Sequence, residues 1–304
     1  MPRRVARDAF LSVSAGSPHQ ADFEAYLDTL VAQACTRPAW WVVAADRVSR
    51  AALWSLPGAP VPSHAVLVET DWTDRELAAG RALMVDLHER ASALGAGALE
   101  HTVDSPPVAP QYQEHADARV RLLEASGYEL VRDGLRWRLA APAAQQPPGP
   151  LRFRSLPEVG EEAFVDAMVA TFEGTPDAEL RRDVDELGPR GAARRYLLDH
   201  RALDHEPEWW ELGYTGEGAL AGVIMGARSP TSAVIAYVGV VPEQRGRGHA
   251  AALVRRGTER LVAAGVSEIR ADCDRDNLPM VKGFERAGYA RFARRRSFTG
   301  STRR

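Results

Sequence analysis

Pro38-Ala39-Trp40-Trp41 returns as Pro207-Glu208-Trp209-Trp210, and Ala65-Val66-Leu67-Val68 returns as Ala233-Val234-Ile235-Ala236, each roughly 170 residues later. Gly95 answers Gly265 at a similar distance. Leu123-Glu124-Ala125-Ser126-Gly127-Tyr128 answers Phe284-Glu285-Arg286-Ala287-Gly288-Tyr289, now roughly 160 residues on. Four matches in one order make the chain two copies of one domain. The shorter final spacing places extra residues in the first copy, in the Pro-rich stretch 105–110.

A chain of 304 residues has room for two cores of ordinary domain size. Residues 140–150 lack charge and are rich in Pro, Ala and Gln, as a semi-rigid linker would be. The expected organisation is a first domain over 1–140, a linker over 141–150 and a second domain over 151–304. Within each copy, runs rich in Val, Ile and Trp (51–56 and 65–69; 219–227 and 233–241) read as strands. Ala250, Leu253, Val254, Gly257, Leu261 and Ala264 recur at helical spacing, and Gly265 ends that helix. A strand over 267–273 leads to a second helix, with Asn277 as N-cap, Pro279 in its first turn, and Met280, Val281, Phe284 and Ala287 on its buried face. Each half is thus an α/β (α+β) layer, a mixed twisted sheet with flanking helices.

Several function classes fall away on composition. A net charge of −3 gives no overall nucleic-acid footprint. No stretch approaches the ~20 apolar residues of a membrane helix. Two cysteines, Cys35 and Cys273, and a start without an apolar leader speak against a disulfide scaffold and for a reducing, cytoplasmic setting. The eight histidines show no paired ligand spacing, and Asp272-x-Asp274-x-Asp276 has Asn277 where a calcium loop needs glycine, so no metal is expected. Lys282 is the lone lysine among 38 basic residues, and the arginine excess runs through the whole chain as a coding habit.

The chemistry concentrates in Tyr237-Val238-Gly239-Val240-Val241-Pro242-Glu243-Gln244-Arg245-Gly246-Arg247-Gly248-His249-Ala250, where a strand passes through a Gly/Arg loop into an amphipathic helix. Glycines let successive N–H groups converge, and a helix start adds unsatisfied donors and partial positive charge, so the segment suits a pyrophosphate. It lacks the Gly-Lys-Ser/Thr ending of a P-loop and the dinucleotide G-x-G-x-x-G spacing. Arg245-x-x-Gly248-x-Ala250, followed by Asn277-Leu278-Pro279-Met280, Phe284 and Gly288-Tyr289, resembles the two conserved blocks of the GNAT superfamily of acyl-CoA-dependent N-acyltransferases. The tandem arrangement is similar to that of mycothiol synthases, in which the carboxy-terminal copy acetylates.

The resemblance implies a function, acetyl transfer from acetyl-CoA to the primary amine of a small molecule by direct attack. It further implies that the backbone of Val238, Gly239 and Val240 pairs with the pantetheine arm where strands splay apart. Arg245, Gly246, Arg247, Gly248, His249 and Ala250 would hold the pyrophosphate, and Asn277 would fix the arm beside the thioester. The Val240 N–H becomes an oxyanion donor, and Asp272, on the strand before Asn277, the candidate base, with a structural carboxylate as the other reading. The family's usual tyrosine acid falls at Phe284, which has no proton to give. Cys273, with no histidine near it in sequence, reads as a buried thiol. A non-catalytic acyl-CoA sensor and an acetyltransferase of protein amino termini are the competing functions.

The first copy has no glycines at the matching junction, residues 69–77. Asp71, Asp74 and Glu76 would repel a pyrophosphate there, and Thr73 or Asp74 would cap the helix instead. That copy is expected to keep the fold without ordinary CoA binding. The acidic stretch 173–186 falls where an acceptor wall would stand, with a solvated helix face as the plainer reading. The paired tryptophans read as sheet residues.

Overall fold

A computed structural model describes residues 6–44, 48–75, 77–140, 149–229 and 232–302. In chain order the first half comprises α1 (Arg7–Leu11), α2 (Gln20–Ala32), β1 (Trp41–Val43), β2 (Arg50–Trp54), β3 (His64–Glu69), α3 (Ala78–Ala93), β4 (Ala98–Ser105), α4 (Ala116–Ala125) and β5 (Tyr128–Ala140). The second comprises β6 (Arg152–Ser155), α5 (Leu156–Val159), α6 (Glu161–Phe172), α7 (Ala178–Arg201), β7 (Glu211–Tyr214), β8 (Leu220–Arg228), β9 (Ala233–Val240), α8 (His249–Ala263), β10 (Glu268–Asp274), α9 (Leu278–Arg286) and β11 (Ala290–Ser301). From the tryptophan turns onward the repeat holds element by element, β1 to β5 answering β7 to β11 and α3 and α4 answering α8 and α9, while β6 has no counterpart in the first half. No helix among the described residues is long and apolar enough to cross a membrane.

The boundaries differ from those expected at 140 and 151. The chain forms two compact units, Met1–Asp133 with Ala293–Arg304, and Gly134–Phe292. The final strand of each copy is exchanged. In the first unit β4 pairs antiparallel with β11, from Arg294↔Ser105 to Ser301↔Ala98. In the second, β10 pairs antiparallel with β5, from Glu268↔Ala140 to Asp274↔Gly134. Leu135 and Trp137 accordingly sit in the second core and Phe298 in the first. Two strands of like pattern fit either position, so a repeat in sequence does not say which copy's strand closes which sheet. The expected linker lies almost wholly outside the described residues.

The first unit's sheet runs β1-β2-β3-β4-β11, and the second unit's β5-β10-β9-β8-β7-β6. In the second, α8 lies along β8 by a small-to-large alternation. Leu253 fills the space over Gly222, Ile224 fills the space under Gly257, and Leu261 covers Gly226. Four helical residues rise about 6 Å and two strand residues about 6.6 Å, so the i, i+4, i+8 row of the helix keeps step with alternate strand positions. An added Cβ on Gly257 would come within 2.8 Å of Ile224. Residues 221–227 of β8 are buried without alternation, as a strand covered on both faces must be.

Both tryptophan pairs are structural. Trp41 Nε1 donates to Thr36 and Trp210 Nε1 to the Gly226 carbonyl, and all four indoles are buried. Trp40 and Trp209 end short 3-10 turns rather than opening strands. The acidic stretch 173–186 is largely a solvent face. Asp177 caps α7 through the Leu180 N–H, and Gly188, before Pro189, breaks that helix.

Candidate functional site

β9 and β10 run parallel, but their ladder contains only Ile269↔Ala233 and Arg270↔Val234, after which both strands continue unpaired with each other. On its other side β9 stays paired with β8 as far as Val240↔Gly222. The β8–β9 register shifts between Met225 and Gly226, which leaves an extra residue in β9 at Ala236, and strand alternation sorts the peptides beyond it: those of Tyr237 and Gly239 turn toward β8, and those of Val238 and Val240 turn into the gap on the β10 side. Two observed bonds fix this phase: the Val241 N–H donates to the Ala221 carbonyl on β8 at 3.1 Å, and the Val240 carbonyl accepts from Arg245 Nε at 3.1 Å. Val238, two residues before Val240, has its peptide facing the gap.

The strand then enters a 3-10 turn (Pro242–Gln244) and the loop that begins α8. Gly246 and Gly248 have φ of 79° and 85°, a left-handed region that favours glycine. Gly248 is the N-cap of α8 and offers no side chain, so among the described residues no acceptor meets the amides of residues 246–250. An added Cβ on Gly246 would touch nothing within 4 Å, and one on Gly248 only Arg286 Nη1. The result is a set of convergent, unblocked N–H donors at the positive end of a 15-residue helix.

The two loop arginines divide the labour in a way the sequence did not foresee. Arg245 is turned back into the protein, donating to the carbonyls of Val240, Thr171, Glu173 and Gly174. Its guanidinium clamps the end of β9 to the end of α6 instead of facing an anion. Arg247 is exposed and points no donor at a protein group among the described residues. Arg286, from α9, is a cation the sequence reading missed; only the packing of α9 beside the loop brings it to Gly248. Nδ1 of His249 and Oε1 of Gln244 are shielded from solvent without a partner among the described residues, and burial followed by the neighbouring Arg247 pushes the His249 imidazole below its ordinary pKa.

The remaining expected residues are placed as follows. Gly239 is a packing position: an added Cβ would come within 2.7 Å of Thr171 and the Tyr237 hydroxyl, and its own peptide faces β8. Asn277 caps α9 through the Met280 N–H at 3.2 Å. Asp272 alternates with buried Ile269, Ala271 and Cys273 as expected, but it lies opposite Arg136, whose Nε donates to it at 3.3 Å. Cys273 is buried and receives the Trp137 indole N–H at 3.3 Å. Phe284 is 1% exposed and stacks on Trp137 with ring centres 5.8 Å apart. Among the described residues no cluster of three or more His, Cys, Asp or Glu side chains is placed to hold a metal.

A strand fork that opens onto a glycine-started helix is the architecture the two sequence blocks implied, and residues 175–289 match the Acetyltransferase (GNAT) family. The match falls within the second unit. Curated relatives of the GNAT segment include an acetyltransferase of Yersinia enterocolitica, 33% identical over 89 residues, and one of Yersinia pestis, 32% identical over 89 residues. Each match covers 29% of this chain and 62% of the relative, so under two thirds of those proteins is represented. Solved structures extend the likeness in fold beyond the segment. A GCN5-related N-acetyltransferase from Sphaerobacter thermophilus gives a TM-score of 0.64 at 21% identity, covering 99% of this chain and 94% of that one. A tandem GNAT protein from the clavulanic acid biosynthesis pathway gives 0.51 at 18% identity, covering 97% and 94%. Both support a mixed α/β fold of the GNAT kind, and the second is a tandem GNAT protein.

Proposed function

We propose that the protein is an N-acyltransferase whose second unit binds acyl-CoA, most simply acetyl-CoA, and transfers the acyl group to the primary amine of a small molecule. The observation that carries this reading is the gap beside Val238. It offers one free strand edge to an extended amide-bearing chain, and it leads to the open amides of residues 246–250, which suit a pyrophosphate. Val238 and Val240 would pair with the arm by backbone, Gly246 to Ala250 would hold the anion, and Arg247 and Arg286 would add charge. Acetyltransferase relatives and neighbours support the donor class.

In the reaction the amine nitrogen attacks the thioester carbon, the C–N bond forms and the C–S bond breaks. The nitrogen loses a proton and the thiolate gains one. A backbone N–H turned into the gap is suited to stabilise the oxygen as it gains charge. A thiolate whose acid has a pKa near ~8.5 is a mild base and takes its proton from water. Asp272 in its ion pair and Phe284 in its stack favour a second reading, a non-catalytic acyl-CoA sensor.

Calorimetric titration of the full chain with acetyl-CoA, followed by a labelled-acetyl screen of small amines and peptides, tests both. Binding with transfer to a small amine is the expected result. Binding without transfer to any acceptor selects the sensor, and no binding at all overturns both.

A further inference from the structure

The first unit has the same fork. β3 and β4 are parallel and pair only at His64↔Glu100, after which they continue to Glu69 and Ser105 without a shared ladder. Between β4 and α4 the chain spends residues 106–115, where the second unit has only 275–277 between β10 and α9. This is the extra length inferred from the repeat spacing. The segment turns back on the fork. Gln111 Oε1 accepts from the Leu67 N–H on β3 at 3.1 Å. Gln113, 4% exposed, accepts from the Asp104 N–H at 2.9 Å and donates to the Thr102 carbonyl at 2.8 Å.

That last pair has a definite meaning. One residue of an added parallel strand donates its N–H to the C=O of one residue and accepts, at its own C=O, the N–H of the residue two further on, and the Gln113 carboxamide makes that same pair of bonds. Other side chains close the rest of the edge: the His101 imidazole donates from Nδ1 to the Ala65 carbonyl at 2.8 Å, and Arg119 donates to the Val68 carbonyl at 2.6 Å. Tyr112 stacks on His19 at 3.7 Å, and Arg119 Nε holds the Glu114 carbonyl, so the segment is pinned on both sides of its glutamines. At the helix start the Asp74 carboxylate takes the Ala78 N–H, where the second unit leaves its amides open.

We propose that residues 106–115 are a built-in occupant of the first unit's strand fork, with the Gln111 and Gln113 carboxamides standing where an extended ligand would add its peptide-like groups. The first unit therefore takes no acyl-CoA, and the chain binds one equivalent. The stoichiometry rests on the function proposed for the second unit; the occupancy of the fork does not.

Residue-resolved amide exchange on the full chain separates the two. In the native protein the Leu67 and Asp104 amides are expected to exchange slowly and to be unaffected by acetyl-CoA. In Gln111→Ala the Leu67 amide, and in Gln113→Ala the Asp104 amide, should exchange at least about tenfold faster while the β1–β2 amides keep their rates. Acetyl-CoA that slows or shifts Leu67 or Asp104 in the native chain, or a stoichiometry of two, overturns the proposal. So does unchanged exchange in both variants. If acetyl-CoA fails to bind altogether, the second unit's function falls, and the two variants still decide the occupancy of the first.

Discussion

Nε of Arg136 on β5 lies 3.3 Å from Oδ1 of Asp272 on β10, and the two residues face each other across the antiparallel ladder. Arg136 is 7% exposed and lies over the Phe292 ring at 5.0 Å. A carboxylate held this way serves a cation and is a poor choice for accepting a proton from an amine. Asp272→Asn is expected to lower unfolding free energy by about 1–3 kcal/mol, because it leaves a buried guanidinium short of charge. It should leave the shape of the pH–rate profile unchanged. Urea unfolding and a kcat profile check this; a loss of about a hundredfold or more in kcat at unchanged stability would identify Asp272 as the base.

Arg245 and Arg247, two residues apart, are expected to fail differently. Arg245→Ala removes donors from four carbonyls and should destabilise the loop and the end of α6, lowering Tm together with acyl-CoA affinity. Arg247→Ala should leave Tm unchanged and weaken acyl-CoA binding roughly three- to tenfold, about 1 kcal/mol, with the difference shrinking in high salt. Thermal melts and calorimetry at two ionic strengths separate the cases.

Phe284→Tyr adds a hydroxyl in the stack formed with Trp137 and Tyr289. With no room for it to reach solvent, the group should cost about 1–3 kcal/mol and give no faster chemical step. Single-turnover rates beside urea melts check it; a faster step would mean that this position faces the departing sulfur.

His101 is buried in the first unit, and desolvation pulls its pKa from 6.5 down to about 4. The unfolded chain takes up a proton below about pH 6.5 that the folded imidazole refuses until about pH 4. The stabilisation is therefore complete above pH 6.5 and is lost as pH falls toward 4, on the order of 3 kcal/mol at the limit. His64 and His88, also lowered by burial, act in the same direction. Urea unfolding of native protein and His101→Gln across that range should show a shallower pH slope for the variant.

Much of this protein is legible as pattern. The apolar row of α8 is readable because a helix repeats every 3.6 residues, and the Gly246 and Gly248 turn because only glycine takes that φ cheaply. The N-cap of α3 is Leu77 and not Thr73 or Asp74 as expected, although the Asp74 carboxylate still takes the Ala78 N–H. The inward turn of Arg245 is not readable, since it depends on four carbonyls contributed by residues about 70 positions earlier as well as by its own strand. Nor is the closing of the first fork, because a glutamine in a Pro-rich segment carries no sign of which strand it will meet.

The sequence by itself determined that there are two copies of one α/β domain, that the second keeps a glycine-opened helix start, and that the first has an acidic one and extra residues before its last helix. Those properties are local, set by periodicity, backbone freedom and charge. Only the tertiary structure decided which copy's last strand completes each sheet, that Asp272 pairs with Arg136, that Phe284 lies under Trp137, and that Gln111 and Gln113 fill a strand fork. These are pairings between groups distant in sequence. Hydrogen-bonding and packing potential is present in each residue alone, but its use depends on the partner the fold delivers.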